Sequence, residues 1–100
     1  MTKVIHIRNA PEGWETDPQY VYIGRPGRGQ TGYFGNPFPL NGGPRGSTIK
    51  LFEEYARNRI QYDSQYAYAI KRLRDRTLVC FCRPLACHGD VLKQLAEEAQ

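Results

Sequence analysis

The chain has 100 residues and a mass of 11.5 kDa, which is the size of one small domain. Hydrophobic residues make up 40% and charged residues 24% of the sequence, proportions typical of a globular protein, so a mainly disordered chain is excluded. Every apolar run is far shorter than the ~20 residues of a membrane span, and no secretion signal precedes the first predicted strand. We therefore expect a cytoplasmic protein that does not contact membranes.

The net charge of +4 comes from one part of the chain. Residues 19–51 contain no Asp or Glu but hold Arg25, Arg28, Arg45 and Lys50, whose charge equals the whole excess. Arginines outnumber lysines by ten to four, and the planar guanidinium group suits phosphate and carboxylate. This distribution favours an anionic ligand, although a solvated basic surface would give the same composition.

Apolar and β-branched residues predict two short strands in the first quarter of the chain, over 3–8 and 20–23. The loop between them, over 9–18, contains two prolines and a glycine. Residues 24–46 then hold eight of the ten glycines and four of the seven prolines. This segment is longer than the ~12–15 residues at which irregular loops become uncommon and usually functional.

Hydrophobic periodicity predicts two helices, a strand and a third helix in the remainder of the chain. Ser47 is the predicted N-cap of the first helix, and Asp63 and Ser64 separate it from the second. Residues 77–82 are nearly all apolar, as in a strand covered on both faces, and 90–99 form the last helix. The predicted inward-facing positions of the three helices are Ile49, Phe52, Tyr55, Ala56, Ile60, Tyr66, Ala69, Ile70, Leu73, Val91, Leu92, Leu95 and Ala96.

This order of elements predicts the α/β class, as one small sandwich domain over residues 1–100. We expect a three- or four-stranded, mainly parallel sheet flanked by helices. The strands over 20–23 and 77–82 are joined through helices in a Rossmann-like crossover, so they are expected to pair in parallel. The partner of the first strand does not follow from the sequence.

Parallel strands place their carboxyl ends at one edge of a sheet, where open α/β folds bind ligands. At this edge we expect arginines, glycines and the amino terminus of the last helix, which together suit an anion. The amide side chain in the glycine-rich segment could hydrogen-bond to the edge of a base or sugar, and its aromatic side chains could stack on a flat ring. The predicted ligand-binding residues are Gly24, Arg25, Asn36, Phe38, Arg45, Arg83, Cys87, His88 and Gly89.

The glycine-rich segment also has a structural explanation, since glycine, proline and Asn-Pro pairs are common in turns that only support a scaffold. The spacing of Gly24, Gly27 and Gly29 matches neither a dinucleotide-binding fingerprint nor a phosphate-binding P-loop. The sequence therefore predicts no bound cofactor.

The three cysteines, Cys80, Cys82 and Cys87, lie close together, and their odd number predicts free thiols in a reducing compartment. Their spacing differs from that of zinc-binding pairs, and Cys87 and His88 are expected to point apart, so no metal site is predicted. A helix amino terminus favours the thiolate form, so Cys87, His88 and Asp90 are candidate catalytic residues, with Cys87 expected nearest to solvent. Alternatively, Cys80 and Cys82 are small core residues, and Cys87 and His88 cap the turn and the start of the helix.

Four motifs resemble those of domain-of-unknown-function family 4326. They are VYIGRP from residue 21, GNPF from residue 35, FEEYA from residue 52 and CFCRPLACHGDVL from residue 80. The resemblance covers residues 20–98. It implies a compact α/β fold and a bacteriophage or mobile-element protein of the host cytoplasm, and it implies no particular activity.

Three functions are compatible with these features. The first is binding of an anionic, nucleotide-like or other phosphorylated small molecule, by which a phage protein would sequester a host nucleotide signal. The second is a thiol- and histidine-dependent enzyme acting on a nucleotide or nucleobase. The third, which the sequence favours least, is nucleic-acid binding by the basic segment, since no known nucleic-acid-binding motif is present. The sequence does not indicate the oligomeric state.

Overall fold

The computed structural model describes residues 1–24, 32–37, 48–81 and 87–99. The strands are β1 (Lys3–His6), β2 (Tyr20–Tyr22) and β3 (Thr77–Cys80), and the helices are α1 (Ile49–Tyr62), α2 (Ser64–Lys71) and α3 (His88–Glu98). Two 3₁₀ helices, Ile7–Asn9 and Trp14–Thr16, lie between β1 and β2. The predicted α/β class is confirmed, with one open parallel sheet in the described part of the chain. No helix in these residues is long and apolar enough to cross a membrane.

The sheet has β3 at its centre and is parallel throughout. The strand order is β1-β3-β2, and Val4 and Val21 both lie opposite Leu78. The predicted parallel pairing of the second and third strands is therefore confirmed, and β1 occupies the other side of β3. Because all three strands run in the same direction, their carboxyl ends share one edge, which we call the carboxyl edge.

The two faces of the sheet carry different layers, because successive side chains of a strand point to opposite sides. Leu78, Cys80 and Ile23 belong to one buried cluster with residues of all three helices. On the opposite face, Trp14 of the second 3₁₀ helix packs against Tyr22, with ring centroids 6.4 Å apart. All four residues of β3 are buried, as predicted for a strand covered on both faces.

The inward faces predicted for the helices are confirmed by burial at every position except Ala69, which is only partly buried and does not belong to the core cluster. Apolar residues at three- and four-residue spacing turn toward the sheet and exclude water there, which supplies most of the stability of such short helices. The buried positions are Phe52, Ala56, Tyr66, Ile70, Leu73, Val91, Leu92, Leu95 and Ala96, and the partly buried ones packed against them are Ile49, Tyr55 and Ile60.

The starts of two helices differ from the prediction. The N-cap of α1 is Thr48, one residue after the predicted Ser47, which lies outside the described residues. Helix α3 begins at His88, two residues before the predicted Asp90. The reason is that Cys87 has an extended backbone and acts as the N-cap. Its Sγ accepts a hydrogen bond from the backbone N–H of Gly89, the second residue of α3, so the helix starts earlier.

All three strands end earlier than predicted. The second stops at Tyr22, one residue before its predicted end. The first strand stops at His6 because residues 7–9 form a 3₁₀ turn, which His6 caps by accepting a hydrogen bond from the Arg8 backbone N–H. The third strand stops at Cys80, and the predicted strand residue Cys82 lies outside the described residues.

Arg59 holds α1, α2 and the segment 32–37 together. Its guanidinium carbon lies 4.2 Å from the Tyr66 ring centre and 5.5 Å from that of Tyr33. Its Nε donates to Asp63 at 3.0 Å, and its Nη1 donates to the hydroxyl of Tyr55 at 2.8 Å. Backbone N–H donation from Tyr66, together with the Arg59 guanidinium, lowers the pKa of Asp63 below its ordinary value. This cluster fixes the described part of the glycine-rich segment against the helices.

The hydroxyl group of Tyr66 is buried without a hydrogen-bond partner among the described residues. Only 1% of this residue is exposed, and desolvation raises the pKa of its phenol to about 12. A buried hydroxyl that makes no hydrogen bond costs stability, because it has lost its water without compensation.

We therefore expect Tyr66→Phe to raise the free energy of unfolding, by about 1 kcal/mol. The matched control is Tyr55→Phe, which removes a hydroxyl that accepts a hydrogen bond from Arg59 and should lower stability instead. Urea denaturation of the two variants and the wild type measures both effects. A destabilised Tyr66→Phe variant would show that the hydroxyl is satisfied in solution.

The wild type and Tyr66→Phe should also differ in how their stability depends on pH. In the unfolded chain the Tyr66 phenol ionises near pH ~10, whereas the folded protein holds it neutral until its pKa of about 12. The unfolded state therefore binds fewer protons over this interval, so stability falls as the pH rises. This part of the loss should be absent from Tyr66→Phe.

Candidate functional site

The amino terminus of α3 is joined to the carboxyl end of β2 by His88. The Nε2 atom of His88 lies 2.7 Å from the backbone oxygen of Ile23, and both residues are buried. A carbonyl oxygen only accepts hydrogen bonds, so Nε2 carries the proton and donates it. The structure thus brings the end of the Gly24 strand and the start of the last helix together at the carboxyl edge.

Cys87 is the N-cap of α3. Its Sγ accepts a hydrogen bond from the Gly89 backbone N–H at 3.3 Å and lies 3.9 Å from Nδ1 of His88. With the His88 proton on Nε2, Nδ1 is an acceptor in the neutral ring, and the Cys87 thiol is placed to donate to it. The expectation that these two side chains point apart is wrong, because the extended cap conformation turns the thiol back over the first turn of the helix.

The sequence led us to expect the Cys87 thiol near solvent, and this prediction is wrong. Cys87 is 1% exposed and His88 is 8% exposed, whereas Asp90 is exposed on the same first turn. The expectation treated the cysteine as a loop residue, but its role as N-cap draws the side chain into the buried cluster that includes Leu92. Cys80 is equally buried.

The amino terminus of α1 reaches the same edge. The Phe52 ring, in the first turn of α1, meets the His88 ring edge-on at a centroid distance of 5.0 Å. Asn36 donates from Nδ2 to Oγ1 of Thr48 at 3.1 Å, which places the predicted site residue Asn36 at the N-cap of α1. Two helix amino termini, each with a partial positive charge, therefore lie beside the end of β2.

These two helix termini differ in how their backbone N–H groups are used. In α3, the N–H groups of Gly89 and Asp90 donate to Cys87, and Asp90 places a negative charge in the first turn. In α1, Thr48 makes no side-chain capping bond, since its hydroxyl accepts from Asn36, and the first turn has no acidic residue. The terminus of α1 is therefore the better of the two for an anion.

The two described glycines of the site permit close packing. A Cβ atom on Gly89 would lie 2.7 Å from Cδ1 of Ile23 and 2.9 Å from Cγ1 of Val4, so α3 approaches the sheet this closely only with glycine there. A Cβ atom on Gly24 would lie 2.6 Å from Cζ of Tyr22. Both glycines thus shape the joint between helix and strand.

The remaining predicted ligand-binding residues, Arg25, Phe38, Arg45 and Arg83, lie outside the described residues. They belong to the segments 25–31, 38–47 and 82–86. These segments contain four arginines and no Asp or Glu, and each is joined in the chain to a residue of the carboxyl edge or of an adjacent helix start.

Sequence reasoning missed three aromatic residues at this edge, His6, Tyr22 and Phe81. The imidazole and the tyrosine ring each lie 6.1 Å from the Phe81 ring. The alternation within residues 77–82 was the available signal, because it places Phe81 on the face opposite Cys80. Over the described ranges, no group of three His, Cys, Asp or Glu side chains is arranged to hold a metal ion.

The burial of Cys87 predicts slow alkylation. In the native protein, iodoacetamide should modify Cys87 and Cys80 far more slowly than in guanidinium chloride, because reagent access requires local opening. Mass spectrometry of peptides sampled over time measures the two rates, and the unfolded sample is the control. Rapid native labelling of Cys87 ahead of Cys80 would show that the thiol is accessible and would restore its candidacy as a nucleophile.

Comparison with known proteins identifies a family but no function. The model of the family described as "Domain of unknown function (DUF4326)" matches residues 5–98, and the chain belongs to this family. Searches of curated proteins and of solved structures give no match. Any function must therefore be argued from the site itself.

Proposed function

We propose that this member of the family binds a nucleotide-like or other phosphorylated small molecule at the carboxyl edge of its sheet. The observation that carries the proposal is the convergence of two helix amino termini on the end of β2. His88 makes both contacts, with Nε2 at 2.7 Å from the Ile23 oxygen and its ring at 5.0 Å from that of Phe52.

The chemistry of this edge suits a phosphate group. The amino terminus of α1 offers backbone N–H groups that its N-cap side chain does not engage, and Lys50 lies exposed in its first turn. Open α/β sheets bind ligands at the carboxyl ends of their strands, where such helix starts lie. In the sequence, the segments 25–31, 38–47 and 82–86 contain four arginines and no carboxylate, which favours an anionic ligand, whereas the segment that follows β1 contains Glu12, Glu15 and Asp17.

Asn36 supplies an orienting group beside the same terminus. Its side-chain nitrogen is engaged with Thr48, so the amide is held in a fixed orientation next to the start of α1. This contact places the Asn36 side chain beside the proposed phosphate position.

A second candidate function is a thiol-dependent reaction on the same ligand class. The specific observation in its favour is the contact between Sγ of Cys87 and Nδ1 of His88, with the imidazole held in one orientation by the Ile23 oxygen. This function requires that Cys87 become accessible, which native-state alkylation tests. The burial of the thiol favours binding without chemistry.

The proposal predicts that Lys50→Glu weakens phosphate binding without destabilising the protein. An acidic side chain at a helix amino terminus interacts favourably with the helix dipole but repels an anion. Isothermal titration calorimetry with ribonucleoside monophosphates, ribose 5-phosphate and inorganic phosphate should show at least one ligand for the wild type. Its affinity should fall about tenfold or more in the variant, or ~1.4 kcal/mol.

The matched control is Lys3→Glu, which makes the same charge change at an exposed position of the opposite edge of the sheet. Its affinity should equal that of the wild type at physiological ionic strength, since screening limits distant charges. Equal weakening in both variants would indicate only diffuse electrostatic attraction. Failure of every phosphorylated ligand to bind the wild type would refute the proposed function.

A further inference from the structure

The solvent-exposed side of α2 carries an aromatic ring among polar and basic side chains. Tyr66 and Ile70 turn toward the core at four-residue spacing, so the residues on the other side of the helix face solvent. Tyr68 lies at the centre of this exposed side, and 62% of it is open to solvent. We call this surface the α2 face, and its residues are Ser64, Gln65, Tyr68, Lys71 and the C-cap Arg72.

Arg72 contacts the Tyr68 ring from one turn further along the helix. Its guanidinium carbon lies over the ring, 5.8 Å from the ring centre, which is within the range of a cation–π interaction. The backbone N–H of Arg72 donates to the backbone oxygen of Tyr68 at 3.1 Å, so the helix itself keeps the two residues together. The ring and the positive charge are therefore neighbours on one exposed surface before any partner binds.

The basic residues that follow Tyr68 differ in how their charges are used. Arg74 donates to two backbone oxygens at the end of α3, and Arg76 donates to the backbone oxygen of Pro18. Lys71 and Arg72 are exposed, and neither forms an ion pair with the residues that the structure describes. A basic residue in the last turn of a helix interacts favourably with the helix dipole, but that interaction needs no exposed aromatic ring beside it.

The carboxylates next to the α2 face already have partners. On either side of it in the chain and at the end of α3, which packs against α2, the pairs are Asp63 with Arg59, Asp75 with the amino group of Met1, Glu97 with Thr2 and Glu98 with Arg57. Glu54 is exposed, but it belongs to α1. The α2 face itself carries the charges of Lys71 and Arg72 and no carboxylate, so it complements an anionic partner.

We propose that the α2 face binds single-stranded nucleic acid, with Tyr68 stacked on a base and Lys71 and Arg72 against the phosphates beside it. This surface is separate from the phosphate position at the start of α1. The chain that leaves α2 runs to the edge of the sheet opposite the carboxyl edge, where the backbone N–H of Asp75 donates to Thr2, the residue before β1. The α2 face is therefore a second site, independent of the proposed function.

The chemistry of the α2 face favours nucleic acid over other anionic partners. Binding of single strands combines cations along the backbone with aromatic rings on which bases stack, and every base presents a π face. Gln65 adds an amide that hydrogen-bonds to base edges. An acidic peptide would engage the cations but leave the ring without a stacking partner. A membrane surface favours apolar side chains that enter the lipid, whereas Ser64 and Gln65 lie beside Tyr68.

Fluorescence anisotropy with three labelled probes of equal length tests this assignment. The probes are an oligothymidylate, the same backbone with abasic sites throughout, and a DNA duplex. The wild type should bind the oligothymidylate at least about fivefold more tightly than the abasic probe, because only the first offers bases as well as phosphates. Equal affinities for these two probes, or no binding of the oligothymidylate at low ionic strength, would overturn the proposal.

Variants of the α2 face separate stacking from charge. Tyr68→Leu should weaken oligothymidylate binding about fivefold or more and leave the abasic and duplex probes unchanged, since these offer no accessible base. Tyr68→Phe keeps the ring and should bind as the wild type does. Lys71→Gln/Arg72→Gln should weaken binding of all three probes. On the single strand it should also reduce the slope of log K against log salt by about 1.4, because two phosphate contacts are lost.

Matched controls make the same kinds of change elsewhere. Phe81→Leu removes an exposed ring (50%) beside Tyr22 on the other face of the sheet. Lys3→Gln/Arg8→Gln removes one lysine and one arginine charge from exposed positions. Neither control should change the oligothymidylate affinity at physiological ionic strength. Weakening by the controls as large as that by the α2 variants would show diffuse attraction and refute a defined surface.

Two further measurements identify the other possible occupants and sites. If Lys50→Glu weakens oligothymidylate binding and the α2 variants do not, the nucleic acid lies at the carboxyl edge and the proposal is wrong. It is also wrong if the protein binds phosphatidylserine vesicles in a Tyr68-dependent manner and no oligothymidylate, since the face then binds membranes. The proposed function is tested separately with phosphorylated small molecules, so the two proposals fail independently.

Discussion

The hydrogen bond between Nε2 of His88 and the backbone oxygen of Ile23 determines the shape of the carboxyl edge. Both groups are buried, so the loss of either partner would leave the other unsatisfied at a cost of ~1–3 kcal/mol. The bond fixes the start of α3 against the end of β2, and the imidazole ring in turn positions Phe52 and the start of α1. Gly89 makes this approach sterically feasible, because any Cβ there would overlap Ile23 and Val4.

The two helices that meet at this joint have different roles. The first turn of α3 is satisfied internally, since Cys87 receives two of its N–H groups and Asp90 offsets the dipole. It therefore serves as a structural anchor. The first turn of α1 is neither capped by Thr48 nor neutralised by an acidic residue, and we propose that it receives the phosphate. This division separates the buried Cys87–His88 pair, which supports the carboxyl edge, from the groups that we propose contact a ligand.

Much of the fold could be predicted from local patterns. The three- and four-residue spacing around Phe52 and Ala56 defined the buried face of α1, and the apolar residues from Thr77 to Cys80 defined a strand buried on both sides. Both patterns are periodic over a few neighbouring residues, so they can be read directly from the sequence. The pairing of β1 with β3 could not be predicted, because it joins residues more than seventy positions apart and leaves no local mark.

The site was harder to predict for the same reason. The local sequence around Cys87 is compatible with an exposed loop or with a buried cap, and only contacts with the distant residues of the core distinguish them. Phe81 belongs to an apolar run typical of the core, yet half of its surface is exposed. The sequence did indicate Asn36 and the last helix start, because glycine-rich and helix-capping patterns are local.

The most direct test of the ligand site is a two-dimensional ¹H–¹⁵N NMR titration of the wild-type protein with ribonucleoside monophosphates. The account predicts that the largest amide shift changes occur at Asn36 and Lys50, around the carboxyl edge. Amides of the opposite edge, at Lys3, Gln19 and Thr77, should stay in place. Shift changes centred on that opposite edge, or none at saturating ligand, would contradict the account.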